Sequence, residues 1–265
     1  MLIDGHEVAE HVYARASERR AQCTSAPRLT IIACDPTAVT ERYLARKEAA
    51  ADRLDVTCVV ERLVRDATTE VVAAAVDRAV QESDAVIVQL PLPAQIDRTA
   101  VLSHIPATHD VDALTDMSPF LSPVAGAIQA IARYYAIPIA GQSVVVLGAG
   151  LLVGRPVAAW CEEQGASVTV ITETTPDTAA LAAADVVISG VGQPGLVQPT
   201  AIKSGVVLFD AATAELSGKL RGDIDPACYE KAAYATPVPG GIGPVTIAVL
   251  LEQVIAAADA SGENG

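Results

Sequence analysis

Apolar residues along this chain come in short runs separated by stretches of helical period. Leu29-Thr30-Ile31-Ile32-Ala33 reads as a short buried strand, and the pattern over residues 38–54 predicts a helix. Val56-Thr57-Cys58-Val59-Val60 predicts a second strand and residues 69–81 a second helix. Ala85-Val86-Ile87-Val88-Gln89-Leu90 predicts a third strand, stopped by Pro91 and Pro93. Strands that alternate with helices in this way imply a parallel sheet with right-handed crossovers. The rhythm breaks over residues 106–123, which hold three prolines and no clear period, so a domain junction is expected there. Residues 124–135 predict a helix leading out of it.

A second series follows. Strands are expected at 143–147, 167–172, 185–189 and 206–210, with helices at 153–164 and 177–183. Residues 244–260 predict an amphipathic helix with Pro244 in its first turn, and residues 261–265 a frayed tail. The fold class expected is α/β: two parallel-sheet domains, the second of Rossmann type.

Composition narrows the possibilities. The 265 residues are 51% hydrophobic but only 3% aromatic, so the core must be built of Ala, Val, Ile and Leu. The net charge of -14, with lysine only at 47, 203, 219 and 231, leaves no basic face for nucleic acid or for an anionic membrane. Five scattered cysteines without a C-x-x-C pair read as reduced thiols, and the four histidines lack metal spacing. The start, Met1-Leu2-Ile3-Asp4-Gly5-His6-Glu7, has neither the basic residues nor the apolar run of a leader. A cytoplasmic protein with no metal, no nucleic-acid partner and no membrane span is the expectation.

Candidate chemistry begins at Gly148-Ala149-Gly150-Leu151-Leu152-Val153-Gly154, between a Val-rich strand and a helix. Glycines there let the backbone approach a pyrophosphate, which the helix N-terminus favours through its unpaired N–H groups. The third glycine stands one place later than in G-x-G-x-x-G, and a plain tight turn is the competing reading. Glu173 ends the next strand, where an acidic residue accepts from a ribose 2′-hydroxyl and repels a 2′-phosphate. A solvated strand-end charge is the alternative for it.

Tyr43 and Lys47 are four residues apart and share a helix face. Gln89 stands at the carboxyl end of a core strand, the edge at which open α/β sheets bind ligands. Asp112 follows in a loop. Taken singly, each is more often a surface, packing, strand-end or turn residue.

Together these motifs resemble the bifunctional methylenetetrahydrofolate dehydrogenase/cyclohydrolase family. They run Tyr-x-x-x-Lys at 43–47, Val-Gln-Leu-Pro-Leu-Pro at 88–93, Asp-Val-Asp at 110–112, Val-Gly-Arg-Pro at 153–156 and Thr-Pro-Val-Pro-Gly-Gly-Ile-Gly-Pro-Val-Thr at 236–246. The resemblance implies a folate-binding catalytic domain over residues 1–118 plus 244–265 and a Rossmann dinucleotide-binding domain over 119–243, with a cleft between them. It implies tetrahydrofolate as substrate, NAD or NADP as cofactor, and a homodimer. By motif position Lys47 resembles the catalytic lysine, Gln89 its paired glutamine, Tyr43 the tyrosine that stacks on folate, and Asp112 the acid that holds the pterin. Gly240 and Gly241 would line the cleft, and Gly148, Ala149, Gly150, Gly154 and Thr213 would meet the cofactor.

Several positions depart from the family pattern. Gly148-Ala149-Gly150 stands in place of Gly-Arg-Ser, which removes an arginine associated with the 2′-phosphate of NADP. With Glu173, that favours NAD. Ser122-Pro123-Val124-Ala125-Gly126 replaces Pro-Cys-Thr-Pro, and Asp210-Ala211-Ala212-Thr213 replaces Asp-Val-Gly-Ile. The motifs of the first domain are better kept than those of the second. Two rival readings follow: a Rossmann dehydrogenase for another small hydroxy acid, and a non-catalytic folate-binding protein.

Overall fold

A computed structural model describes residues 1–216 and 219–262. Its elements in chain order are α1 (Gly5–Arg20), β1 (Arg28–Cys34), α2 (Ala38–Arg53), β2 (Thr57–Leu63), α3 (Thr69–Glu82), β3 (Ala85–Gln89), α4 (Arg98–Leu102) and α5 (Pro123–Tyr134). There follow β4 (Ser143–Leu147), α6 (Gly154–Glu163), β5 (Ser167–Ile171), α7 (Thr178–Ala183), β6 (Val186–Ser189) and β7 (Val207–Asp210). Last come β8 (Ala214–Leu216), β9 (Lys219–Arg221), β10 (Tyr234–Ala235) and α8 (Ile242–Gly262). The chain divides into two compact units. The first is His11–Pro123 with Ile247–Gly265, and the second Met1–Glu10 with Val124–Thr246.

In the first unit three parallel strands lie in the order β2-β1-β3, with Leu29 opposite both Cys58 and Ala85. The central strand is apolar on both faces because both are covered, as buried parallel strands require. Thr37 and Thr68 cap α2 and α3 by accepting from the backbone N–H three residues on. Leu29, Ile31, Leu44, Ile87, Leu251 and Ile255 share one core.

Helix α8 is less amphipathic than expected from sequence. It is apolar on nearly every side, because Leu250, Leu251, Val254 and Ile255 are buried in that core. By length and composition it could cross a bilayer, yet half of the stretch is buried inside the fold. Its polar residues are used within the unit: Glu252 pairs with Arg15, and Gln253 Nε2 donates to the Val111 carbonyl at 2.7 Å. The helix continues past residue 260 to Gly262, and the rest of the expected tail, 263–265, lies outside the described residues.

The second unit holds five parallel strands in the order β10-β7-β6-β4-β5. From β4 the chain crosses to β5 on one side and returns to β6 on the other, so the strand order reverses between β4 and β6. Ligands of open α/β sheets bind outside the carboxyl ends at such a reversal. The first ten residues belong to this unit rather than to residues 11–118 as expected. Leu2 bridges Ala235, Ile3 N–H donates to the Ala235 carbonyl at 2.9 Å, and Gly5 N–H donates to the Gly240 carbonyl at 2.9 Å. The junctions fall at 123/124 and 246/247, a few residues beyond the expected 118/119 and 243/244.

The role of α8 as a core element gives a stability prediction. Leu251→Ala, at a fully buried position, is expected to cost about 3 kcal/mol, typical of leucine truncation in a core. The measurement is the urea midpoint. A change below about 0.5 kcal/mol, the scale of a surface substitution, would place α8 outside the core.

Candidate active site and dinucleotide site

The first unit gathers its chemistry at the carboxyl edge of its sheet. Helix α2 carries Tyr43 and Lys47 one turn apart. Strand β3 ends at Gln89, where Leu90-Pro91 turns the chain away through a cis bond. Lys47 Nζ donates to Gln89 Oε1 at 3.0 Å. The other end of the amide is also fixed, since Gln89 Nε2 donates to the Leu90 carbonyl at 2.9 Å. The glutamine therefore offers oxygen, not nitrogen, to the lysine, and orients the amine without sharing its charge.

The two carboxylates of Asp110-Val111-Asp112 have different tasks. Asp110 is fully buried and accepts from Leu114 N–H at 3.0 Å, Thr115 N–H at 2.8 Å and the Thr115 hydroxyl at 2.7 Å. It ties the loop together. Asp112 is only partly buried. Burial pushes its carboxyl above the usual carboxylate range, the Lys47 charge pulls it down, and Asp110 adds to the rise. Asp112 therefore sits within the electrostatic reach of Lys47, although they are far apart in sequence. The Gln253 bond to Val111 holds the loop from the α8 side. Tyr43 is partly buried, with the Arg46 guanidinium 5.6 Å from its ring centroid.

The second unit carries the glycine loop at the strand reversal. Gly148 has φ +90°, open to glycine at no steric cost, and its N–H donates to the Ile171 carbonyl of β5 at 2.8 Å. A Cβ on Gly154 would fall 2.1 Å from the Gly148 carbonyl oxygen, so only glycine lets the loop close onto α6. Gly150 has open space around it. The N-cap of α6, Val153, makes no side-chain cap; in the first turn Arg155 N–H donates to the Gly150 carbonyl at 3.1 Å and Pro156 has no N–H to offer. Arg155 Nε donates to the Ala149 carbonyl at 3.1 Å and braces the loop.

Glu173 lies at the tip of a turn that begins one residue after β5. Thr172 and Thr175 close the turn through backbone and hydroxyl bonds. The exposed Glu173 follows two residues after Ile171, whose carbonyl accepts from Gly148 N–H. Thr213 is exposed between β7 and β8. The Gly240-Gly241 turn also belongs to the second unit. Gly240 has φ +102°, and a Cβ on Gly241 would fall 2.6 Å from Thr236 Cβ.

Comparison with known proteins decides what these two sites have in common. Residues 3–112 match the catalytic domain of tetrahydrofolate dehydrogenase/cyclohydrolase, and residues 122–262 match its NAD(P)-binding domain. The chain belongs to the tetrahydrofolate dehydrogenase/cyclohydrolase family. It is 34% identical to the bifunctional protein FolD of Lactobacillus acidophilus over 96% of this chain and 95% of that protein. Among solved structures, the bifunctional FolD of Campylobacter jejuni superposes with a TM-score of 0.94 at 28% identity, covering 98% of this chain and 99% of the other. The Trypanosoma brucei enzyme, solved with NADP cofactor and inhibitor, gives 0.93 at 31% identity, covering 99% and 98%.

Members of this tetrahydrofolate dehydrogenase/cyclohydrolase family share the two-part organisation seen here, a catalytic and an NAD(P)-binding domain. Within this chain, the structure joins Lys47 to Gln89 and brings Asp112 under the influence of Lys47. Tyr43 lies one helical turn away. It joins Gly148 to Ile171 at the end of β5, two residues before Glu173, and packs Gly154 against Gly148 and Ala149.

Sequence reasoning missed Asp210, Asp223 and Gln253. Asp210 and Asp223 are almost completely buried carboxylates whose partners among the described residues are backbone N–H groups and a hydroxyl, and no periodicity marks such residues. Gln253 is a polar residue in an apolar helix, a signal that was available.

The coupling of Lys47 to Asp112 is directly testable. The lysine charge favours the ionised carboxylate, so Lys47→Met is expected to raise the Asp112 pKa further. Carboxyl-carbon NMR titration of both proteins measures it. An unchanged midpoint would mean that the two side chains do not share a site.

Proposed function

We propose that this enzyme oxidises 5,10-methylenetetrahydrofolate to 5,10-methenyltetrahydrofolate with a nicotinamide cofactor, and hydrolyses the product to 10-formyltetrahydrofolate. The observation that carries this reading is the Lys47–Gln89 hydrogen bond at the carboxyl edge of β3, with the Asp112 carboxylate in electrostatic reach. Asp112 suits the amidine-like edge of a pterin, as a two-point charge-assisted acceptor. Tyr43 offers a ring face to the folate from the same helix as Lys47. Nicotinamide, when bound, supplies the hydride acceptor; the chain holds and orients the two reactants.

Hydrolysis needs a base, and Lys47 is placed to be it. Water adds its oxygen to the methenyl carbon and gives one proton to the Lys47 amine. The adduct then breaks its carbon–N5 bond as Lys47 returns that proton to N5. The second water proton leaves to solvent as the adduct hydroxyl becomes the formyl carbonyl on N10. Gln89 keeps the amine aimed throughout.

The cofactor preference proposed is NAD over NADP. Two features support it: Ala149 carries no charge to meet a 2′-phosphate, and Glu173, in the threonine-closed turn after β5, would repel one. A cytoplasmic homodimer is proposed with it. The five cysteines are free thiols, in keeping with a reducing compartment.

Two experiments test the reading. Methenyltetrahydrofolate formation, followed by absorbance with NAD and NADP in parallel, is expected to favour NAD. Ala149→Arg combined with Glu173→Ser should shift that preference towards NADP by about tenfold or more, the scale of one charge-assisted interaction. An unchanged ratio would remove Glu173 from the ribose. Lys47→Ala should lower hydrolysis of supplied methenyltetrahydrofolate by at least about a hundredfold, the scale of positioned acid–base catalysis, with the fold intact by circular dichroism. Normal hydrolysis would sink the mechanism. Turnover of an unrelated hydroxy acid, or folate binding without turnover, would favour the rival readings.

A further inference from the structure

Asp223 is completely buried, and the chemistry of Lys47 does not use it. Its carboxylate collects four donors. The Ser189 hydroxyl donates at 2.6 Å, and the N–H groups of Val191, Gly192 and Gln193 at 2.8, 3.2 and 2.5 Å. Three consecutive backbone donors thus converge on one anion, as in an anion-binding nest, except that the anion is the protein's own.

The segment that Asp223 holds is the loop after β6. The glycine loop follows β4, so the two loops are the two sides of the strand reversal. They touch. A Cβ on Gly190 would fall 2.4 Å from Val153 Cγ1, and one on Gly148 would fall 3.2 Å from Val191 Cγ2. Residues 190 and 191 therefore pack directly against Val153 and Gly148 of the glycine loop.

Asp223 is also held from behind. Asp210, at the end of β7, accepts from Asp223 N–H at 3.2 Å and Ile224 N–H at 2.8 Å. Gly222 permits that approach, since a Cβ there would fall 2.1 Å from Asp210 Oδ2. Val197 pairs with the same segment through Asp223 and Asp225. The carboxylate is thus aimed by a rigid backbone, and its reach decides where the loop after β6 stands.

We propose that Asp223 is a positioning residue for the nicotinamide dinucleotide: it fixes the loop at 190–193 as the second wall of the cofactor crevice. The proposal rests on the reading of the glycine loop as the dinucleotide site. It assigns Asp223 no contact with folate or with the Lys47 chemistry. Isosteric loss of the charge should therefore act on cofactor binding and spare hydrolysis.

The test is Asp223→Asn in the full-length protein. Asn cannot accept through its amide nitrogen, so either the Gln193 N–H or the Val191 and Gly192 N–H groups lose their partner. The KM for NAD is expected to rise about tenfold, on the scale of one lost charged hydrogen bond, with kcat and hydrolysis of supplied methenyltetrahydrofolate within about twofold. An unchanged KM overturns the proposal, and so does an equal fall in both reactions from a folded variant. If Asp223→Asn does not fold, Ser189→Ala decides. It removes a single donor and should raise the KM for NAD by a few-fold with hydrolysis unchanged; no rise overturns the proposal. Failure of the underlying reading looks different, since wild-type protein would then show no dinucleotide binding at all.

Discussion

All strands of each main sheet run in parallel, and the rest of the molecule depends on that constraint. Parallel strands deliver every strand-to-helix connection to the same edge. In the first unit this sets Gln89, at the end of β3, within hydrogen-bond reach of Lys47 on α2, which follows β1. In the second it sets the glycine loop after β4 beside the loop after β6 and the turn after β5. Functional groups from distant parts of the chain meet because the sheet leaves them no other place to emerge.

Electrostatics then separates residues that composition treats alike. Asp110 and Asp112 are two residues apart, yet Asp110 spends its carboxylate on Leu114 and Thr115, while Asp112 is left under the competing influence of burial and the Lys47 charge. Asp210 shows the same competition. Burial pushes its carboxyl up to about 6 even though three backbone N–H groups donate to it. An acidic chain thus keeps most of its carboxylates for solvent and surface pairs and reserves a few buried ones to hold loops.

Much of this was legible in the sequence, for identifiable reasons. β1, β3, β4 and β6 are runs of Val, Ile and Ala bounded by turn residues, and the Gly148-to-Gly154 loop stands between a strand and a helix as its chemistry requires. The Tyr43–Lys47 spacing and the strand-end Gln89 are local patterns, and the structure joins Lys47 to Gln89. What was not legible is non-local. Helix α1 buries a thin stripe, Val8, Ala9, Val12 and Ala16, among charged residues, too weak a period to read. β10 is two residues long and exists because Leu2 and β7 flank it. The polar roles of α8 and the clamp at Asp223 depend on partners more than a hundred and about thirty residues away, respectively.

The central claim is that Lys47 and Gln89 act as one catalytic unit, the amide aiming the amine. A double-mutant cycle on the hydrolysis of methenyltetrahydrofolate, using Lys47→Met, Gln89→Met and the pair, measures that most directly. If the account holds, each single change lowers the rate strongly, and the double variant is no slower than Lys47→Met alone. Losses that simply multiply would mean that the two residues work independently, and that the hydrogen bond between them does not carry the chemistry.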